Sequence, residues 1–291
     1  PGQPYDVTLY HANADMTPHV TETLPRWIAS GRYSIGYWFW ELAHFPIALA
    51  PAFRCLDEIW APTRFCEDAY RALSPIGIRW MPPSVLPPVV SAGGLGREAL
   101  GIGPDEFLLY HAFDILSVPE RKNPLGLVEA FGRACADSPR RLRLLLKINH
   151  ADADPALAGA IQNAAGDLPV TLLTRQLPRA DVSSLMNACD AYISLHRSEG
   201  LGLPLIEAMY LGKPVIATGY GGVTDFLNDQ TGWVVRHGMT ELDQPRGPYP
   251  RGAVWAAPDA RHAGELICQV AAAPDLARER AGRALAAVRS L

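Results

Sequence analysis

The sequence offers little sulfur chemistry. Its five cysteines, Cys55, Cys66, Cys135, Cys189 and Cys268, are scattered, and none stands in a C-x-x-C pair. An odd, unpatterned set excludes a disulfide framework and leaves these thiols as small core residues of a reduced, cytoplasmic protein rather than metal ligands or nucleophiles. An excess of one charge is missing too. The formal net charge is −4, which argues against a nucleic-acid binder driven by bulk phosphate attraction while leaving room for a local basic pocket. No apolar stretch reaches the roughly 18 residues of a membrane span, so at most a peripheral membrane contact is expected. No secretory leader opens the chain, and neither does an initiator Met. "YDVTLYH" reads as a strand already inside a domain, so the chain is expected to be a fragment or a processed form. No G-x-G-x-x-G follows a first strand, which sets dinucleotide-dependent oxidoreduction aside.

What is present suffices for a full core. Of 291 residues, 48% are apolar, enough for one large domain or two ordinary ones. Up to about Leu86 the sequence is aromatic and irregular. "YSIGYWFWEL" (Tyr33–Leu42) is expected to be a strand buried on both faces, "DEIWAPT" another strand, and "RFCEDAYRAL" a helix. Four prolines within Pro82–Pro88 fit neither a helix interior nor a central strand. They make a stiff linker, and the domain boundary is placed there: 1–85 as an N-terminal domain, 86–260 as a second domain, and 261–291 as closing helices.

After the linker, strand and helix patterns alternate. "EFLLYHAF", "RLRLLLKI", "PVTLLT", "AYISLH" and "PVIAT" read as buried strands, and "GWVV" as the last one. Between them stand "NPLGLVEAFGRACA", with Asn123 as N-cap, "DPALAGAIQNAA", capped by Asp154, "ADVSSLMNAC", and "LPLIEAMYL", closed by Gly212 and Pro214. Repeated βα units imply an α/β fold, a parallel sheet with helices on both faces and right-handed crossovers.

In such a sheet, ligands bind outside the carboxyl ends of the strands. There the sequence places "RSEGLG", "GYGG", "DILSVPERKN" and "NHADAD". Gly200 and Gly202 let the backbone approach a ligand, and the helix starting near Leu203 aims free N–H groups at the same spot, a site suited to phosphate. Glu207 suits a ribose diol and Glu199 the sugar side of the same ligand; the alternative for each is a solvated surface carboxylate. Eight residues apart with a turn between, they do not read as a metal pair. Lys122 would neutralise the phosphate, with Arg121 beside it pointing elsewhere. Cations at a helix start oppose its dipole and so need another reason to be there. Gly219–Gly222 could present N–H groups to a hydroxyl or phosphate. Asp152-Ala-Asp154 is spaced like a metal motif, but Asp154 is explained as a helix cap. None of His11, His111, His150 and His196 has a partner that makes a triad, although His196 lies beside the proposed site.

The stretch "HRSEGLGLPLIEAMYLGKPVIATGYGG" (His196–Gly222) closely resembles the E-x7-E segment of family 4 retaining glycosyltransferases, with Glu199 and Glu207 as its two glutamates. "FDILSVPERKNPLGLVEAF", "EIWAPTRF" and "VWAAPD" look like further segments of that family. The resemblance implies a GT-B fold of two Rossmann-like domains and the transfer of a hexose from a nucleotide-sugar donor to a saccharide or lipid-linked acceptor. It implies Glu199 and Lys122 at the reacting centre, and Glu207, Arg121, Gly200, Leu201, Gly202, His196 and Gly221 around the donor. It also implies retention of configuration, no cofactor and no metal, and a role in polysaccharide biosynthesis. Two departures stand out. No Arg precedes Lys122 in "FDILSVPE", so that role falls to Arg121 or is missing. About 85 residues are only part of a GT-B N-terminal domain, so the acceptor side is expected to be incomplete, with Asn13 and Glu41 left to line it and Trp38 and Trp40 as core. Two other readings stay open: a nucleotide-binding fragment without activity, and a GT-B nucleotide-sugar epimerase.

Overall fold

A computed structural model describes residues 5–24, 31–91 and 93–291. Residues 1–4 and 25–30 of the expected N-terminal domain lie outside the described residues. Four parallel strands, β1 (Val7–Tyr10), β2 (Tyr33–Tyr37), β3 (Glu58–Ala61) and β4 (Gly77–Trp80), form a sheet in that order. Helix α1 (Thr17–Thr23), a 3-10 helix (Ile47–Cys55) and α2 (Arg64–Arg71) connect them. Thr63 caps α2 by accepting from the Cys66 amide at 3.2 Å, which satisfies one of the orphan donors of its first turn. The strand expected over Tyr33–Leu42 stops at Tyr37. Trp38 and Trp40 beyond it are 0% and 4% exposed and pack in an aromatic core with Phe45, Phe53 and Tyr70.

The second sheet has six parallel strands in the order β10-β9-β8-β5-β6-β7. They are β5 (Phe107–Asp114), β6 (Leu142–Asn149), β7 (Val170–Leu173), β8 (Ala191–Ser194), β9 (Val215–Thr218) and β10 (Trp233–Val235). Strands β8 and β9 are buried at every position, which is why they read as apolar runs without alternation. Successive side chains feed opposite cores: Leu109 and Leu144 join one cluster, Leu108 and Leu145 the other. The first cluster is covered by α4 (Pro124–Asp137), α5 (Pro155–Ala165) and α8 (Ala260–Ala272). The second is covered by α6 (Arg179–Ala188), α7 (Leu203–Tyr210) and α9 (Pro274–Arg289). A single turn, α3 (Pro119–Lys122), precedes α4. The chain runs from β5 outward to β7, then returns to start again at β8 on the other side. The reversal opens a crevice between the ends of β5 and β8.

Two expectations need correction. "GWVV" is not the last strand: β11 (His237–Glu241) and β12 (Val254–Pro258) form an antiparallel hairpin after it. This hairpin and its loop supply Leu242, Tyr249 and Trp255 to the N-terminal aromatic core. Asn123 stands at the start of α4 but does not cap it through its side chain. Its amide donates to Leu195 O at 3.0 Å and accepts from Arg197 at 3.3 Å, tying α4 to the loop after β8. Asp154 does cap α5, accepting from Leu157 N at 3.0 Å. The proline-rich segment 81–91 carries no regular secondary structure.

Candidate active site

The two sheets point their carboxyl ends at each other. From the N-terminal sheet, His11 follows β1, Phe39 and Glu41 follow β2, and Thr63 follows β3. From the other sheet, Ser117, Arg121 and Lys122 follow β5, and Glu199 to Gly202 follow β8. Apart from Thr63, these residues line one open cleft of about 660 Å³, whose wall continues through Leu203, Pro204 and Glu207 on α7.

At the crevice between β5 and β8, three charged side chains meet. Arg121 Nη1 lies 3.2 Å from Glu199 Oε2, and Lys122 Nζ pairs with Oε1. All three are largely withdrawn from solvent: Arg121 is 4% and Glu199 7% exposed. Arg121 is held further by Ser198 O at 3.0 Å and Ser117 Oγ at 2.8 Å. The expectation that Arg121 points away from Lys122 is therefore corrected; both cations converge on one carboxylate. Burial pushes the Glu199 carboxyl up, but Lys122, Arg121 and His196 outweigh it and hold it well below the usual carboxylate range. Burial pulls the Lys122 ammonium down against the opposing pull of Glu199. For Arg121, burial also works downward, but Glu199 more than offsets it and the guanidinium stays charged. The cluster therefore carries one surplus positive charge in a half-enclosed space, where screening by water is weak. The turn that bears the two cations is bounded by Val118 and Asn123, both at φ 53°. For a β-branched valine that backbone is strained, and such strain concentrates at functional sites.

The glycines beyond Glu199 are fixed by close approach. A Cβ on Gly200 would stand 2.8 Å from Trp40 O, and Gly200 O accepts from Thr63 Oγ1 at 2.9 Å. The backbones of the two domains touch there. Gly202 adopts φ 81° at the start of α7, and with Leu201 it faces the cleft. Gly221, expected at the donor, does not line the cleft. Its Cβ would stand 2.4 Å from Glu199 O, and the neighbouring Gly222 N–H donates to that same oxygen at 2.7 Å. The Gly219–Gly222 turn thus props the Glu199 loop from behind instead of offering N–H groups to a ligand.

His196 also sits behind the wall, fully buried. Its Nε2 lies 3.1 Å from Tyr220 O, a pure acceptor, so Nε2 carries the proton and Nδ1 accepts from Ser194 Oγ at 3.1 Å. Burial pushes its pKa down to about 4, so it is neutral at physiological pH and shapes the loop. Glu207 is 5% exposed on the second turn of α7 and pairs with Arg179 at the start of α6. Asn13 lies away from the donor cleft, in an adjoining cavity that Glu41 also lines. Sequence reasoning missed Arg179, whose signal was a charged loop after "PVTLLT". It also missed Tyr249, which donates to Glu41 at 2.9 Å from the hairpin loop.

Two facing Rossmann-like domains with a ligand-sized cleft between their strand ends define the GT-B class, and solved structures of that class superimpose. The Anabaena protein HepE in complex with UDP and glucose matches with a TM-score of 0.69 at 16% identity, over 98% of this chain and 74% of that one. The pneumococcal O-GlcNAc transferase GtfA in complex with UDP and GlcNAc matches at 0.65 and 16%, over 98% and 53%. Residues 115–242, which hold the charged cluster and α7, match the family "Glycosyl transferases group 1". Among curated relatives, the D-inositol 3-phosphate glycosyltransferase of Stackebrandtia nassauensis is 32% identical over 189 residues, covering 60% of this chain and 41% of the relative. That of Geodermatophilus obscurus is 29% identical, with 58% and 39% covered. The chain thus spans about two fifths of the length of these relatives.

Proposed function

We propose that this chain forms the donor side, and part of the acceptor side, of a family 4 glycosyltransferase that moves a hexose from a nucleotide diphosphate sugar to a saccharide or lipid-linked acceptor with retention of configuration. One observation carries the reading: the Arg121–Lys122–Glu199 cluster stands at the sheet's reversal point beside the free N-terminus of α7. A leaving diphosphate gathers negative charge as the glycosidic bond breaks. Two preorganised cations and a helix N-terminus stabilise that charge without reorganising, which lowers the barrier. Glu199 keeps both cations in place before the donor arrives and accepts hydroxyls of the donor sugar once they turn to phosphate. Glu207 accepts from the ribose through the oxygen that Arg179 leaves free. On the face where the leaving group departs, a phosphate oxygen takes the acceptor's proton.

In this reading Lys122 and Arg121 supply the positive charge that a metal supplies in other transferases. Among the described residues, no group of three His, Cys, Asp or Glu side chains is arranged to hold a metal ion. Uridine diphosphate is the first nucleotide to try, because both structural neighbours above were solved with it. No helix among the described residues is long and apolar enough to cross a membrane.

Calorimetric titration with UDP, GDP and ADP, with and without magnesium, tests the donor site. One nucleotide binds in the micromolar range whether or not magnesium is present, and Lys122→Ala and Glu207→Ala each weaken it more than tenfold. Unchanged affinity in both variants would sink the assignment.

A further inference from the structure

A second cavity, of about 170 Å³, opens off the donor cleft on the N-terminal side. Phe39, Glu41, Ser117 and Arg121 line both, so the two spaces adjoin across a shared wall. Beyond that shared wall the cavity is bounded by Trp40 and Tyr249, with Asn13 and Asp15 at its mouth. Aromatic walls with a few directed polar groups suit a sugar ring, whose faces are apolar and whose edge is hydroxylated.

The polar groups here have one sign. Among the described residues, the Asp15 side chain has no hydrogen-bond or ion-pair partner. Glu41 receives the Tyr249 hydroxyl on Oε2 at 2.9 Å and keeps Oε1 free to accept. Tyr249 is 2% exposed and stacks edge-on against Trp40 with ring centroids 5.6 Å apart. Its loop is pinned by Arg246, which pairs with Glu120 at 2.6 Å. The carboxylate of Glu41 is therefore positioned rather than free to swing. Among the described residues lining the cavity, Arg121 is the sole cation, and its guanidinium is already engaged by Glu199, Ser198 and Ser117. With a donor diphosphate holding Arg121, a second phosphate entering this cavity meets the carboxylates of Glu41 and Asp15, the like-charge juxtaposition by which sites reject a partner.

We infer that this cavity seats the acceptor and selects an uncharged sugar unit over a phosphorylated one, with an acceptor hydroxyl donated to Glu41. The inference rests on the glycosyltransferase reading and narrows its acceptor. It separates this chain from the relatives named for D-inositol 3-phosphate.

The test uses the whole chain with UDP present and measures the binding of matched pairs by saturation-transfer NMR: glucose against glucose 6-phosphate, and myo-inositol against D-inositol 3-phosphate. The neutral member binds at least tenfold more tightly in at least one pair. Asp15→Asn cuts that ratio at least threefold, an effect a merely structural aspartate would not have on a ratio. Equal binding, preference for the phosphorylated member, no binding of either, or a ratio unmoved by Asp15→Asn overturns the inference. If no nucleotide binds in the calorimetry above, the donor reading itself fails, so the two failures are distinct.

Discussion

Thr63 and Gly200 stand 137 residues apart in the chain, yet the threonine hydroxyl donates to the glycine carbonyl at 2.9 Å. The same hydroxyl oxygen accepts from Cys66 N at 3.2 Å. One buried side chain thus caps α2 and fastens the N-terminal domain to the loop that carries Glu199. Thr63→Val keeps the shape and removes both bonds. It is expected to cost about 1–2 kcal/mol of stability, the worth of a lost cap and of a carbonyl left with only the weak Cys66 thiol at 3.4 Å, and to weaken nucleotide binding through the displaced Glu199 loop. Chemical denaturation and calorimetry on the same preparation measure the two effects.

Removing the Glu199 carboxylate strands two buried cations. Glu199→Ala is expected to destabilise the fold by about 3–5 kcal/mol, the usual cost of breaking a buried ion pair on one side. The double variant Glu199→Ala/Lys122→Met, which removes one of those cations together with the carboxylate, should recover a good part of that loss. Urea unfolding midpoints of the two variants settle the matter: equal midpoints would mean that the cluster holds no strained charge.

The buried histidines give stability a pH dependence of known sign. His196 and His111 fold neutral, pushed down by burial to about 4 and about 3 from an ordinary 6.5. Between pH 6.5 and about 4 the unfolded chain binds protons that the folded chain refuses, so stability rises with pH there and is lost as pH falls through that window. Glu199, depressed below its ordinary value, adds a further loss as pH drops below about 4.5. Near pH 5 the plot of unfolding free energy against pH should have a slope worth about two protons. In His196→Gln the slope should drop to about one.

Arg179 is the partner that an exposed position makes cheap. Its side chain is 64% exposed while that of Glu207 is 7% exposed, and an ion pair with one solvated member contributes little. Arg179→Ala is expected to change UDP affinity less than threefold, against more than tenfold for Glu207→Ala. A large loss in the arginine variant would mean that the guanidinium itself touches the nucleotide.

Much of the fold was legible in the sequence because parallel strands buried on both faces leave uninterrupted apolar runs, as in "AYIS" and "PVIAT", and because chain order fixes where charged loops emerge. Glu199 and Lys122 could be brought to one crevice on that basis. The direction of Arg121 could not. Two adjacent side chains diverge along a strand, but Arg121 and Lys122 lie on one tight turn between two left-handed residues, and the carboxylate that gathers them arrives 77 residues later. Composition could not tell Gly202, which faces the cleft, from Gly221, which faces the carbonyl of Glu199, because a missing side chain serves a ligand or a neighbouring loop equally well. The hairpin was invisible for a third reason. "HGMTE" is largely solvent-facing and carries no alternation, and the Pro- and Gly-rich loop behind it looks like a linker.

That hairpin makes the order of the chain and the order of the folded body disagree. The N-terminal aromatic core is completed by Leu242, Tyr249 and Trp255, delivered after the whole six-stranded sheet has been made. A cut within the proline segment would therefore not release two independent bodies. The pieces would stay clasped, like a glove whose last finger belongs to the other hand, and a chain ended before residue 242 would lose packing in the domain farthest from its new terminus.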